Sequence, residues 1–187
     1  KGLGDAVLER QRTRGDSRVD FEVTDQTTGS KFLIEVKNVV CADYSKEHAP
    51  EKRGPNHCVV IADPPPRGEE GGAAAAADAD AYSRTAIFPW GRVGQEFEGR
   101  RVVSARAIKH LRNLVDVGRR EPQTRPVVVF VVNRSDCESV RGCEEACPLF
   151  AAELKSAAEK GVLVVAFRVR WTADGKVYFD GSVPVKL

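Results

Sequence analysis

Methionine is absent from all 187 residues, and the chain opens on Lys1. A translated reading frame starts with methionine, so an excised or processed fragment is expected, with any targeting segment lying upstream of it. No stretch approaches the roughly 18 apolar residues that a spanning helix requires, so no membrane partner is expected. There is no glycine-rich phosphate loop and no serine-hydrolase elbow. The GLGDAV that begins at Gly2 lacks a preceding strand and a third glycine, which excludes a dinucleotide fingerprint. Cysteine is too irregular for a disulfide framework: Cys41, Cys58, Cys137, Cys143 and Cys147 are odd in number and scattered. That usage fits a reducing, intracellular compartment. Cys143 and Cys147 have the spacing of half a zinc site, but no second Cys or His pair stands at a suitable distance, so zinc is not expected. Strong charge of either sign is missing too. A net charge of +2 neither demands nor rules out nucleic acid, because binding depends on local patches.

What is present is a globular composition, long enough for one domain with a substantial core. Residues 2–12 read as a short helix with Leu3, Val7 and Leu8 on one face. From Arg18 to Val23 the pattern alternates, sending Val19, Phe21 and Val23 one way and Arg18, Asp20 and Glu22 the other. DQTTGS at 25–30 is turn chemistry, with Gly29 available for positive φ, and Phe32 to Val39 completes a β-hairpin. Over about 45–100, three consecutive prolines, paired glycines and an alanine run predict a flexible low-complexity insertion, late in which IFPWGR, from Ile87, rejoins the ordered surface.

A helix is then expected from an N-cap at Ser104, through Ile108, Leu111 and Val115, to a stop at Gly118. The nearly all-apolar run Pro126 to Arg134 reads as a strand covered on both faces. A second helix lies between Pro148 and Gly161, followed by a strand ending at Trp171 and a short one through Val177 and Phe179. The expected fold is α/β, a mixed β-sheet flanked by helices.

The hairpin carries the chemistry. In LIEVKNV, Glu35 and Lys37 fall on one face and Ile34 and Val36 on the other. Asp20 lies on the polar side of the facing strand, so two carboxylates and an ammonium converge if the strands pair. Adjacent carboxylates repel unless a cation lies between them. Mg²⁺ (or Mn²⁺) suits that position, because it takes one or two carboxylates and keeps its remaining sites for water or phosphate. The Val36 carbonyl offers a further oxygen. Lys37 would orient a water or stabilise charge on a phosphoryl group in transit. The plain alternative is a solvated hairpin face, the commoner fate of Glu and Lys two residues apart.

This Asp…Glu-x-Lys arrangement resembles the PD-(D/E)xK nuclease superfamily. The strings SRVDF at Ser17 and IEVKNV at Ile34 resemble the two hallmark motifs of the sugar fermentation stimulation protein family. Phe88-Pro89, Ser104-x-Arg106-x-x-Lys109-His110-Leu111, Asp136, Pro148-x-Phe150-Ala151 and the terminal VPVKL follow in the family's order. The resemblance covers most of the chain outside the insertion. It departs at Trp90, Ala107 and Cys147, where the family has aspartate, glycine and an acidic residue.

The resemblance implies a restriction-endonuclease-like core, a DNA-binding protein, and an N-terminal domain resembling an OB fold that is absent here. It also implies that Glu9, on the helix expected at 2–12, joins Asp20 and Glu35 as a metal ligand. Asp20, Glu35 and Lys37 would be the catalytic set, while Arg18, Asn38, Arg106, Lys109 and His110 would contact DNA. Two functions follow: a Mg²⁺-dependent phosphodiesterase acting on DNA, or a non-catalytic, regulatory DNA-binding protein that retains the scaffold.

Overall fold

The alternation at residues 18–39 does fold into a hairpin, and that hairpin lies within a six-stranded mixed sheet. The computed structural model describes residues 5–14, 17–54, 58–62 and 82–187. In chain order its strands begin with β1 (Ala6–Arg10), β2 (Thr13–Arg14), β3 (Ser17–Arg18), β4 (Phe21–Asp25) and β5 (Lys31–Val39). After β6 (Thr85–Phe88), β7 (Gln95–Phe97) and β8 (Arg100–Val102) comes helix α1 (Ala105–Arg120), then β9 (Thr124–Val132) and β10 (Ser139–Gly142). Helix α2 (Pro148–Glu159) precedes β11 (Leu163–Trp171), β12 (Val177–Ser182) and β13 (Val185–Lys186).

The main sheet runs β1-β4-β5-β9-β11-β12. Its centre, β5-β9-β11, is parallel, and β4, β1 and β12 are antiparallel to their neighbours. A smaller parallel sheet, β13-β10-β6, stands beside it. The hairpin turn forms as its residues dictate: the Asp25 carboxylate accepts the N–H groups of Thr27 (2.8 Å) and Thr28 (3.2 Å). Gly29 takes φ +69°, which costs a residue without Cβ nothing.

Four expectations change. Residues 6–10 form strand β1 rather than a helix, with Leu8 opposite Val23 and Glu9 opposite Glu22. A helix of eleven residues is marginal alone, whereas the β4 edge offers a full ladder of partners. The first hairpin strand is interrupted at Val19 and Asp20, between β3 and β4. The expected insertion ends before residue 85: β6 runs between β10 and the loop at Cys41, with Ala86 and Ile87 almost fully buried in the core rather than at the surface. Residues 63–81, its most biased part, lie outside the described residues. Finally, α1 continues past Gly118 to Arg120. A Cβ on Gly118 would stand 3.0 Å from Pro126 Cγ, so glycine serves the close approach of β9 there and does not end the helix.

The core lies between the sheet and the two helices. Ile108, Leu111 and Leu114 of α1 and Phe150 and Leu154 of α2 close over Val128, Phe130 and Val132 of β9. The Phe88 ring meets Phe130 and Phe150 at 5.8 and 5.2 Å between centroids. Cys137, Cys143 and Cys147 are buried and Cys41 and Cys58 half-buried. Burial pushes the Cys137 thiol up to about 11 and that of Cys143 up to about 12. A thiol titration of the native chain should therefore read no more than two of the five cysteines quickly, and all five after unfolding in guanidinium. Fast reaction of all five in the native state would contradict this packing.

Candidate functional site

Residues Leu33, Glu35, Lys37 and Val39 share the face of β5 that is buried under α1. The sequence pattern places Glu35 and Lys37 together. Their side is the core side, and both are almost fully buried. Each therefore needs a partner, because an isolated buried charge is costly. The Lys37 Nζ donates to Glu35 Oε1 at 2.7 Å, and His110 Nδ1 makes a short contact with the same oxygen. Arg106 Nε donates to His110 Nε2 at 3.3 Å. With Nε2 accepting, the ring proton belongs on Nδ1, so His110 donates to Glu35. Arg106, His110, Glu35 and Lys37 thus form one continuous chain from helix to strand. Burial alone would raise the Glu35 pKa; the His110 hydrogen bond and the Lys37 charge outweigh it and hold the carboxyl below its ordinary range.

Helix α1 delivers its two members because its start is fixed. The Ser104 hydroxyl accepts the Ala107 N–H at 3.2 Å as N-cap. Arg106 and His110 then lie one turn apart on the face that meets β5.

Asp20 arrives from the other side. Its Oδ2 accepts the Val36 N–H at 2.7 Å, beyond the last β4–β5 pair, Phe21 with Ile34. The carboxylate thus sits at the peptide joining Glu35 to Val36. N–H and C=O of one strand residue point to the same edge, so the Val36 carbonyl opens onto the same gap. Among the described residues no three His, Cys, Asp or Glu side chains converge on one point, so no closed metal cage exists there. The Asp20 and Glu35 carboxylates and the Val36 carbonyl are hard oxygen donors on neighbouring positions of the chain's fold, the donor type that Mg²⁺ prefers.

Glu9 is not part of this arrangement. It lies on β1, two strands from β5, with its side chain 40% exposed and 3.4 Å from Arg12. Its register partner Glu22 is the buried carboxylate of that region, 2% exposed and 3.4 Å from Lys31. The sequence pattern had Glu22 on a polar face, and only the folded structure tells that its side chain is buried. Asn38 is exposed on the opposite face of β5, near Asn133 (3.4 Å), away from the expected DNA contacts.

Those contacts otherwise gather. A groove of about 1050 Å³ along α1 is lined by Arg18, Arg106, Lys109 and His110, together with Phe97, Asn113 and Arg120. Arg112 also lines it but is engaged by Glu98 and Glu153. The Asn113 Nδ2 is buried without a hydrogen-bond partner among the described residues. Its position three residues after His110 and seven after Arg106 is the signal by which sequence reasoning could have included it.

Residues 102–175 match the family described as "Sugar fermentation stimulation protein RE domain". The chain is 38% identical over 85 residues to a sugar fermentation stimulation protein homolog of Pseudomonas putida, covering 46% of this chain and 35% of that one. It is 27% identical over 191 residues to the homolog of Syntrophotalea carbinolica, covering 98% of this chain and 59% of that one. It therefore spans less than two thirds of the length of these curated relatives. Its fold is similar to a solved structure described as that of Pyrococcus furiosus SfsA in complex with Ca²⁺. The TM-score is 0.63 at 17% identity, over 97% of this chain and 56% of that one. The likeness bears out the expected α/β fold with a mixed β-sheet.

Proposed function

This chain belongs to the sugar fermentation stimulation protein family, and from that premise we propose that it forms the catalytic part of a divalent-cation-dependent phosphodiesterase acting on DNA. The observation that carries the reading is the buried Glu35–Lys37 pair, locked by His110 with Asp20 at the next peptide, beside a groove lined by cations. Asp20, the second oxygen of Glu35 and the Val36 carbonyl would hold Mg²⁺ or Mn²⁺. Such an ion, when bound, neutralises phosphoryl oxygens and makes a water acidic enough to attack. Ca²⁺ in the Pyrococcus furiosus neighbour is another hard cation that takes oxygen ligands, which supports this donor set.

The chain's own groups do the rest. Arg18, Lys109 and Arg106 draw phosphates into the groove, Arg106 while holding His110 in place. The His110 ring fixes Glu35 so that one oxygen stays turned to the cation gap. Lys37, a fixed ammonium in a site shielded from bulk water, is placed to offset the charge that grows on the attacked phosphoryl group.

The second reading, a DNA-binding protein that does not cut, draws on the same contact. Lys37 and His110 are both committed to Glu35 Oε1, and a lysine that stays there would stiffen the scaffold without reaching a phosphate. The deciding experiment incubates the chain with single- and double-stranded DNA, with and without Mg²⁺ or Mn²⁺. Chelator-sensitive cleavage that is lost in Asp20→Asn is the expected result. Intact DNA that is nevertheless retarded in a gel would install the second reading, and intact, unretarded DNA would remove both.

A further inference from the structure

The small sheet β13-β10-β6 holds two opposite charges apart. Thr85 of β6 and Ser139 of β10 are register partners, both almost fully buried, and their hydroxyls meet at 3.0 Å. The Lys186 Nζ, from β13, donates to Thr85 Oγ1 at 3.1 Å. From the other side, Asp43 Oδ1 accepts the Thr85 N–H at 2.9 Å and the Tyr82 hydroxyl at 2.8 Å. A lysine and an aspartate are thus anchored to one residue. Neither forms an ion pair, with the other or with any other described group.

Asp43 is 4% exposed, so its charge is nearly out of water, and both of its side-chain donors are neutral. Its Oδ2 takes no hydrogen bond among the described residues. That oxygen is not sealed in, because the Asn113 Nδ2 is the only fully buried side-chain nitrogen or oxygen among them that lacks a partner. The opening beside it is a cavity of about 350 Å³, which Asp43 lines with Thr85, Arg141, Glu144, Glu145 and Lys186. Arg141 and Glu145 cancel within the wall, joined by two hydrogen bonds of 2.5 and 3.0 Å. What is left is Asp43, with Glu144 exposed at the rim, against Lys186. A carboxylate this deeply buried is normally paired, and Lys186 spends one of its three N–H groups on a hydroxyl. Each charge reaches Thr85 through one hydrogen bond, so the two stand on the order of 4–9 Å apart. A molecule with an ammonium and a carboxylate on one carbon, held by a charge-assisted hydrogen bond of about 2.8 Å at each end, bridges such a gap.

We propose that this cavity binds a free amino acid, its ammonium on Asp43 and its carboxylate on Lys186. The volume lies at the small end of the roughly 300–1,000 Å³ typical of small-molecule pockets. Glu144 at the rim favours a basic side chain over an acidic one. The cavity shares no lining residue with the groove along α1, so the assignment stands apart from the reading of that groove.

Isothermal titration of the intact chain with L-lysine, glycine and L-glutamate tests the proposal, with methylamine and acetate as the two half-molecules. The expected result is a dissociation constant below about 1 mM for L-lysine, and binding at least about tenfold weaker for L-glutamate and for either half-molecule. Asp43→Asn keeps an acceptor for Thr85 and Tyr82, and Lys186 is exposed, so circular dichroism should report unchanged folding in Asp43→Asn and Lys186→Met. Each substitution should weaken L-lysine at least about tenfold, and Arg119→Gln on α1 should leave it unchanged. No amino acid bound at about 10 mM, binding indifferent to both cavity substitutions, a preference for L-glutamate, or a half-molecule held as tightly as L-lysine would each overturn the proposal.

Discussion

Replacing Lys37 by Met should lower the rate of metal-dependent DNA cleavage by about 10²–10³, the usual cost of removing one group aimed at developing transition-state charge. Affinity for DNA should hardly change, because the phosphate-binding cations stand on α1 and at Arg18, not on β5. Methionine has nearly the length of lysine and no charge, so it fills the buried position next to Leu33 and Val39 without leaving a void. Glu35 keeps His110 as donor. Single-turnover cleavage measured beside equilibrium binding separates the two effects. A parallel fall in binding would place Lys37 in ground-state recognition, and an unchanged rate would leave it a structural partner of Glu35.

Replacing Glu35 by Leu should cost about 3–5 kcal/mol of stability, the range found when one partner of a buried ion pair is removed. Lys37 and His110 would then lose their common acceptor while remaining beneath α1. Glu35→Gln, which keeps an acceptor oxygen but no charge, should cost less, about 1–3 kcal/mol. Urea unfolding measures both, and a loss below about 1 kcal/mol for the leucine variant would mean that water reaches the pair. The same interaction sets a pH dependence. The folded carboxyl sits below its ordinary value, so the unfolded chain takes up the proton first. The stabilisation is therefore complete above the usual glutamate pKa of about 4.3. It fades as pH falls through the folded value, and this contribution disappears in Glu35→Gln.

The parts of this molecule that were legible in sequence are those whose pattern is set locally. Strand β9 declares itself by a run of valines, α2 by Pro148 and Gly161 at its ends, and the β4–β5 turn by Asp25 and Gly29. Glu35 and Lys37 stand out because they interrupt an otherwise apolar run, and Asp20 because it falls in the alternating stretch that faces it. What could not be read there depends on partners distant in the chain. Residues 6–10 carry helix-compatible side chains, and only the open edge of β4 makes them a strand. Strand β6 is four residues inside a biased segment, and its place in the core comes from pairing with β10. Glu22 and Glu9 look alike in sequence; only the folded sheet separates a carboxylate buried beside Lys31 from one exposed beside Arg12. Asn38 keeps the alternation of β5, and alternation itself turns it away from Lys37.

The in-register pairing of β5 with β9 sets Val39 beside Val132, so a long excursion of chain must close before the sheet has a centre. Closure entropy rises only with the logarithm of length, by about 0.6 kcal/mol for each doubling. Residues between these strands are thus able to multiply or shrink among relatives at small equilibrium cost. Time is what the excursion consumes, since distant pairings slow folding far more than they weaken the product. The β4–β5 hairpin, closed by its short turn, has no such wait. Glu35 and Lys37 both stand on that hairpin, whereas His110 reaches them from a helix that lies beyond the excursion.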